Sequence, residues 1–429
     1  MQARILGGQR QAAFCWNLCR ALHMEARHRH EKWPGRDSLQ KATKGGLFAL
    51  HSQSIQMVVH AFLANVDAAQ QLRAQGQRWI RYPYRDKRFF PLMWPAQAMA
   101  VEKTRIVLPM GRGRCSLILP RPKGLPHEGA AAKIVWNGVG YELHWTVETS
   151  DAEPVAEGAL AAGDLGQIHQ IAVVTNTGDA LIVSGRGIRS VKRRRNKALG
   201  TIQQKQSRCR RGSRRWKKLN RAKAKVCVQT ARQVRDLRHK GARAAVNFCR
   251  AHDVRSLYVG NPDGVRKNRS GRHHNQRMSQ WEYGRDLDYI EQKTKQAGIA
   301  CFSGTERGTS SCCPICGHRH KPRGRVWQCI KCGFIGHRDL VGGVNMHLIA
   351  YGQPITFPHR ITYLRPGVTS VAQATGMNSR SPGSSSRPDT GQAYWPVAAP
   401  NSVSEPAGLP EPPRGQGRKR GRRSEAHLL

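Results

Sequence analysis

Glu306-Arg-Gly-Thr-Ser-Ser311, Cys313-Pro-Ile-Cys316, Cys329-Ile-Lys-Cys332 and His337-Arg338-Asp339 follow one another in a single short stretch. Two Cys-x-x-Cys pairs with twelve residues between them have the spacing of a zinc ribbon. Four thiolates, Cys313, Cys316, Cys329 and Cys332, close a tetrahedron and leave no position for a reactive water, so the zinc reads as structural. Cys312 is adjacent but out of register, a spectator. The ribbon reads equally as structural support and, through its basic tip His318 to Arg325, as a contact for a nucleic-acid strand. Two carboxylates flank the ribbon, Glu306 and Asp339. A third, Asp164, lies far upstream in Gly163-Asp164-Leu165-Gly166, at the end of a strand-like run. Carboxylates gathered from distant parts of a chain are what divalent-metal phosphodiester chemistry requires, and two Mg²⁺ ions are the natural complement.

The composition points the same way. The 429 residues hold 72 Lys+Arg against 27 Asp+Glu, a formal net charge of +45. That excess is spread along the chain and calls for a polyanionic partner, nucleic acid by default. No apolar run is long enough to span a membrane, and the N-terminus lacks the pattern of a secretory signal. Four of the twelve cysteines have zinc spacing and the rest are scattered, which suits a reducing compartment. The expected location is cytoplasmic.

Outward from the ribbon, the chain divides into segments. Residues 1–100 read as helical. Cys15, Cys19 and His23 share a helix face there, but their apolar neighbours make packing the better reading than metal binding. Arg81 to Phe90 interleaves bases with aromatics, a pattern for holding phosphates while rings stack on bases. Residues 101–152 switch to strand patterning, with a hairpin at Asn137-Gly138, and read as a small antiparallel β-barrel or sheet. Residues 153–310 read as strands and helices in the order of a ribonuclease-H-like domain: a three-stranded meander whose first strand ends in the Asp164 carboxylate, then alternating helices and strands. The ribbon occupies 311–333, and 334–351 completes the α/β domain. Residues 352–429 lose periodicity, end in Arg418-Lys-Arg-Gly-Arg-Arg423, and read as a disordered basic tail.

A basic region covers about 190–252. Lys192, Arg193, Arg194, Arg195, Arg210, Arg211, Arg214, Arg215, Lys217 and Lys218, with Trp216 among them, stand in a stretch without one acidic residue between Lys192 and Lys225. A merely solvated helix face would intersperse acids, so this region is assigned to phosphate contact.

At these residues the chain resembles the TnpB family. The resemblance is carried by Gly163-Asp164-Leu-Gly, Ser184-Gly-Arg186, Arg195-Asn-Lys197, Val259-Gly-Asn-Pro-Asp-Gly-Val265, Gly271-Arg-His-His-Asn-Gln276, Ser279-Gln-Trp281, Glu306-Arg-Gly-Thr-Ser-Ser and the ribbon with Gly336-His-Arg-Asp339. It implies an α+β multidomain protein: a helical recognition region, a β-barrel wedge domain, and a RuvC-like, ribonuclease-H-like nuclease with an inserted four-cysteine zinc ribbon. It further implies a transposon-encoded endonuclease that carries a guide RNA, pairs it with double-stranded target DNA beside a short motif, and cuts with Mg²⁺. A guided binder without nuclease activity and a miniature type V CRISPR effector are the alternatives. Asp164 and Asp339 match the family's first and last aspartates. The middle glutamate is missing after the strand at Ser256–Val259, where Gly260-Asn-Pro-Asp263 follows. Some relatives look rearranged, with this glutamate just before the ribbon, where Glu306 stands. The implied set is therefore Asp164 on both ions with Glu306 and Asp339 on one each. Asp263, in a turn sequence, is the weaker candidate.

Overall fold

The computed structural model describes residues 1–265, 271–322 and 324–367. Helices α1 (Gln2–His28), α2 (Arg36–Ala42) and α3 (Ser52–Ala74) open the chain. Six strands follow: β1 (Leu92–Pro95), β2 (Ala100–Val101), β3 (Arg105–Leu108), β4 (Leu117–Pro120), β5 (Ala131–Trp136) and β6 (Tyr141–Thr146). They form two antiparallel three-stranded sheets, β1-β5-β6 and β2-β3-β4. The helices and sheets are not separate units as the sequence pattern implies. Trp16, Phe62 and Val59 of the helices share one core with Trp94, Ile106 and Leu108 of the strands. The division expected near residue 100 falls inside this core, and β1 begins before it.

Cys15 and Cys19 are buried in that core. His23 Nε2 bonds the Pro34 carbonyl at 2.8 Å and its ring meets Phe62 edge-on, so this face packs. The aromatics of 81–90 are also occupied: Phe90 stacks on Trp16, and Arg27 and Arg73 lie over the Tyr82 ring. The Asn137-Gly138 turn closes as the dipeptide predicts. Asn137 Oδ1 accepts from the amides of Val139 and Gly140, and Gly138 takes φ +102°.

The second unit is a six-stranded sheet. The meander β7 (Ala159–Leu165), β8 (His169–Thr175) and β9 (Asp179–Ser184) is followed by α4 (Arg186–Ser207), α5 (Arg214–Ala251) and β10 (Val254–Asn261). Then come α6 (Arg272–Ser279), α7 (Tyr283–Lys295), β11 (Ala300–Thr305), β12 (Val326–Gln328), β13 (Ile335–His337), α8 (Arg338–Tyr351) and β14 (Arg360–Leu364). The sheet order is β11-β10-β7-β8-β9-β14, with β10 parallel to both β7 and β11. Every residue of β8 is buried, because both faces are covered: α5 and α7 on one side, α8 on the other.

Two boundaries shift from the sequence reading. The basic region is a helical hairpin broken at 208–213, where Gly212 takes φ +85° and Ser213 caps α5 by accepting from the Trp216 amide. The ordered chain also runs past 351: β14 pairs in parallel with β9, and Ile361 joins the core over α8. Three apolar residues in five were too faint a period against the low-complexity sequence around them. The tail beyond 367 lies outside the described residues. No helix among the described residues is long and apolar enough to cross a membrane.

Candidate active site

The sheet's polarity builds the site. Because β7, β10 and β11 are parallel, their C-terminal ends share one edge. Asp164 sits near the end of β7 and Glu306 directly follows β11, while Asp339 occupies the first turn of α8, which packs across β7. Burial, with the charges of Asp339 and Glu306, holds the Asp164 carboxyl well above the usual carboxylate range. Burial lifts Glu306 to about 7, and its Oε2 is buried without a hydrogen-bond partner.

The middle strand is cut back to let these groups meet. A Cβ on Gly260 of β10 would lie 3.1 Å from Glu306 Oε2 and 3.0 Å from its Cβ. On the other side, a Cβ on Gly342 of α8 would lie 2.8 Å from Asp164 Oδ2. Glycines at both positions open the space in which the carboxylates stand. The Glu306 loop is tied to α8 by Asn345, whose Nδ2 donates to the carbonyls of Thr309 and Cys312 at 2.7 and 2.8 Å. Thr309 Oγ1 in turn donates to the Glu306 carbonyl at 2.8 Å.

Asp339 has partners that the sequence reading missed. His169 Nδ1 donates to its Oδ2 at 2.6 Å, and Arg325 Nη1 donates to both oxygens at 2.7 and 3.0 Å. Burial opposes ionisation of Asp339, but the His169 hydrogen bond and the Arg325 charge outweigh it and hold the carboxyl below its ordinary value. His337 caps α8, its Nδ1 accepting from the Asp339 amide, and burial lowers its imidazole to about 4. Among the described residues, the ligand atoms of His169, His337 and Asp339 lie within 4.8 Å of one another, whereas Asp164, Glu306 and Asp339 do not make such a set. The basic ribbon tip is thus partly spent inside the protein, with Arg325 on Asp339. The signal available in the sequence was His337 beside Asp339; His169, four residues beyond Leu165, gave none. Asp263 is exposed and caps its own turn, its Oδ1 accepting from Gly264 N at 2.8 Å.

The four ribbon cysteines come together as their spacing predicts. Cys313 and Cys332 Sγ are 3.7 Å apart, Cys316 and Cys329 Sγ 3.5 Å. A tetrahedron with Zn–S bonds of roughly 2.3 Å has edges of about 3.8 Å, so the set fits structural zinc. Cys312 stays outside it, its Sγ on the Gly317 carbonyl. Trp327 of β12 is buried beneath the cluster and donates to the Ser310 carbonyl, which joins ribbon to loop.

Of the basic residues, Arg193, Arg194, Arg210, Arg211, Arg214, Arg215, Lys217 and Lys218 are exposed; Arg195 and Trp216 are half-buried. Lys192 departs from its assignment. Its ammonium is drawn inward to Glu282 Oε2 at 2.9 Å and to the Gln280 carbonyl. The acid came from the N-cap of α7, far along the chain, where a local reading of charge cannot see it.

Residues 144–266 match the family described as a probable transposase, OrfB of IS605, and residues 283–346 match the Cas12f1-like TNB domain. A TnpB-like protein of Methanocaldococcus jannaschii is 26% identical over 132 residues, which are 30% of this chain and 47% of that one. The match therefore spans about half the length of that relative. The cryo-EM structure of a Cas12f1-sgRNA-target DNA complex superposes with a TM-score of 0.60, covering 80% of this chain and 81% of that one at 12% identity. At that identity the likeness is one of fold. The strand-end carboxylates and the four-cysteine ribbon lie in the matched segments, so residues 144–266 are similar to the TnpB (OrfB/IS605) family and residues 283–346 to a Cas12f-like TNB domain.

Proposed function

We propose that this protein is an RNA-guided DNA endonuclease with a RuvC-like site. The carrying observation is that Asp164, Glu306 and Asp339 stand within electrostatic reach of one another at one edge of a sheet whose strand order is ribonuclease-H-like. Mutually repelling, half-buried carboxylates, one with an unpartnered Oε2, are costly unless a cation offsets them. The donors are all oxygen on Asp164 and Glu306, which fits Mg²⁺. Asp164 and Glu306 would hold the ion, with Asp339 beside it. When bound, the ion supplies charge stabilisation at the phosphate and activates water for attack. His169 and Arg325 keep Asp339 ionised and fix its direction. The ribbon and Asn345 keep the Glu306 loop against α8. The two small sheets and the helices that share their core take the wedge and recognition roles. The exposed cations of α4 and α5 hold the guide by its phosphates, and sequence is read by base pairing.

The test is cleavage of a guide-matched plasmid by the protein purified with its copurifying RNA. Glu306→Gln is expected to abolish cleavage while target binding stays within a few-fold, since the metal acts on the reaction and not on pairing. Equal cutting by the variant would overturn the assignment. A second reading, a guided binder that does not cut, is favoured by the engagement of Asp339 with Arg325 and His169. Wild type that binds target and leaves it intact in Mg²⁺ and Mn²⁺ would establish it.

A further inference from the structure

Two histidines from different elements converge on Asp339. His169 opens β8, His337 ends β13, and both are buried. Their ring centroids stand 5.1 Å apart, the planes tilted by 52°. Among the described residues, one nitrogen of each ring and one oxygen of Asp339 lie within 4.8 Å of one another, a closer gathering than the three carboxylates make. The hydrogen bonds of the two imidazoles run to this one residue: His169 Nδ1 lies 2.6 Å from Asp339 Oδ2, and His337 Nδ1 lies 3.3 Å from the Asp339 amide. One buried imidazole is enough to orient a carboxylate, so the second is left without a task by that role. Asp339 is also braced from the ribbon, Arg325 Nη1 donating to Oδ1 at 2.7 Å and to Oδ2 at 3.0 Å. Carboxylates that ligate metals are commonly held by such an outer hydrogen bond.

We propose that His169, His337 and Asp339 form a binding site for a first-row divalent transition ion. The inference goes beyond the nuclease reading, which puts Mg²⁺ on Asp164 and Glu306, and does not depend on cutting. Donor chemistry selects the ion. Two imidazole nitrogens and one carboxylate oxygen suit Mn²⁺, Fe²⁺, Co²⁺ or Zn²⁺. They suit Mg²⁺ poorly, because it takes oxygen ligands and keeps much of its water. Ligand bonds of roughly 2.0–2.2 Å set neighbouring donor atoms about 3.0–3.4 Å apart, so the 2.6 Å His169–Asp339 pair has to open by only about half an ångström. The proton between them leaves to solvent as the ion takes its place on Nδ1 and Oδ2. Arg325 keeps its contact to Oδ1. The bond that His337 gives up is long. Three protein ligands leave the other positions of the ion to water or to a phosphate oxygen. The Asp339 end of the carboxylate edge thereby prefers a different ion from the Asp164–Glu306 end.

The test uses the full chain with its copurifying RNA and zinc-loaded ribbon, produced with ¹⁵N-labelled histidine. One equivalent of Mn²⁺ is added, and pulsed EPR reads the nitrogens coupled to its spin. Mn²⁺ is the probe because a four-thiolate zinc site does not yield to it. Coupling to ¹⁵N from two imidazoles is expected, whereas Mn²⁺ on RNA bases would show ¹⁴N. His169→Asn and His337→Asn should each leave one coupled ¹⁵N. The double variant keeps a donor to Asp339 and a capping side chain on α8. It should lose the ¹⁵N coupling and bind Mn²⁺ at least tenfold more weakly, with zinc content unchanged. Wild type without ¹⁵N coupling overturns the proposal, and this reading needs no variant to fold. Coupling retained by the double variant also overturns it, since the ion would then sit on other histidines. Glu306→Gln should keep the coupling, so a failure of the nuclease reading leaves this result intact.

Discussion

Glu306 stands over Gly260, its Oε2 3.1 Å from where a Cβ on that glycine would be. No glutamate stands at the end of β10, and the space above Gly260 is entered from Glu306, which follows the neighbouring strand β11. Gly260→Ala would place its methyl 2.4 Å from Met346 Sδ and 3.0 Å from Glu306 Cβ. The thioether has rotatable bonds and yields; the Glu306 carboxylate is the group displaced. We expect a stability loss of about 1–3 kcal/mol and a cleavage loss of at least tenfold, with guide content unchanged. Cleavage at the wild-type rate would show that the carboxylate does not need this space.

The raised Glu306 sets a pH dependence. In metal-free protein its folded value, about 7, exceeds the ordinary 4.5. Its stabilising contribution is therefore complete below 4.5 and is lost as pH rises through about 7. Thermal scans in chelator should show the advantage of Glu306→Gln over wild type growing between these pH values. Metal binding has the opposite sign, since the ligand must be ionised. Mn²⁺ affinity measured by calorimetry should climb as pH rises through about 7, more steeply in wild type than in Glu306→Gln. Parallel profiles for the two proteins would count against Glu306 as a ligand.

Zinc is expected to act at a distance. Cys313→Ser or Cys332→Ser should each lose about one zinc per chain by elemental analysis, because such modules draw their local folding free energy from the metal. Trp327 and Val341 pack on the cluster, and Asp339 lies beside Val341. Hydrogen exchange should therefore speed up through 306–345, and cleavage should fall. Cys312→Ser, outside the cluster, should keep its zinc.

Arg238 is nearly inaccessible, its side chain 3% exposed, between Asp286 at 3.6 Å and Glu282 at 3.4 Å. Removing one partner strands a buried charge, at a cost of about 3–5 kcal/mol. Asp286→Ala should lower the melting temperature of the sheet unit by several degrees while leaving zinc content intact. A change of under one degree would show that Glu282 alone satisfies Arg238.

Charge on the hairpin should govern the guide. Replacing Arg214, Arg215 and Lys218 with Glu is expected to strip the copurifying RNA, and wild type should release it steeply as salt rises. Retention of RNA by the variant at moderate salt would move the guide contact elsewhere.

The local signals were strong where chemistry fixes spacing. Two Cys-x-x-Cys pairs specify their own geometry, and a strand ending in Gly-Asp places one carboxylate at a sheet edge whatever lies around it. The meander, the basic helices and the Asn137-Gly138 turn were legible for the same reason: each is set by residues within a few positions. Pairings made across the chain were not. Lys192 read as a phosphate ligand until α7 brought Glu282 to it, and Asp339 read as a bare ligand until β8 and the ribbon brought His169 and Arg325. β14 was lost in a low-complexity segment because its partner, β9, lies far upstream. The sequence determined which groups exist and which short motifs they form. Only the parallel run of β7, β10 and β11, with α8 laid across them, decided that Glu306 reaches over Gly260 toward Asp164. Contact between distant residues depends on strand register and helix packing, and no short-range pattern encodes those.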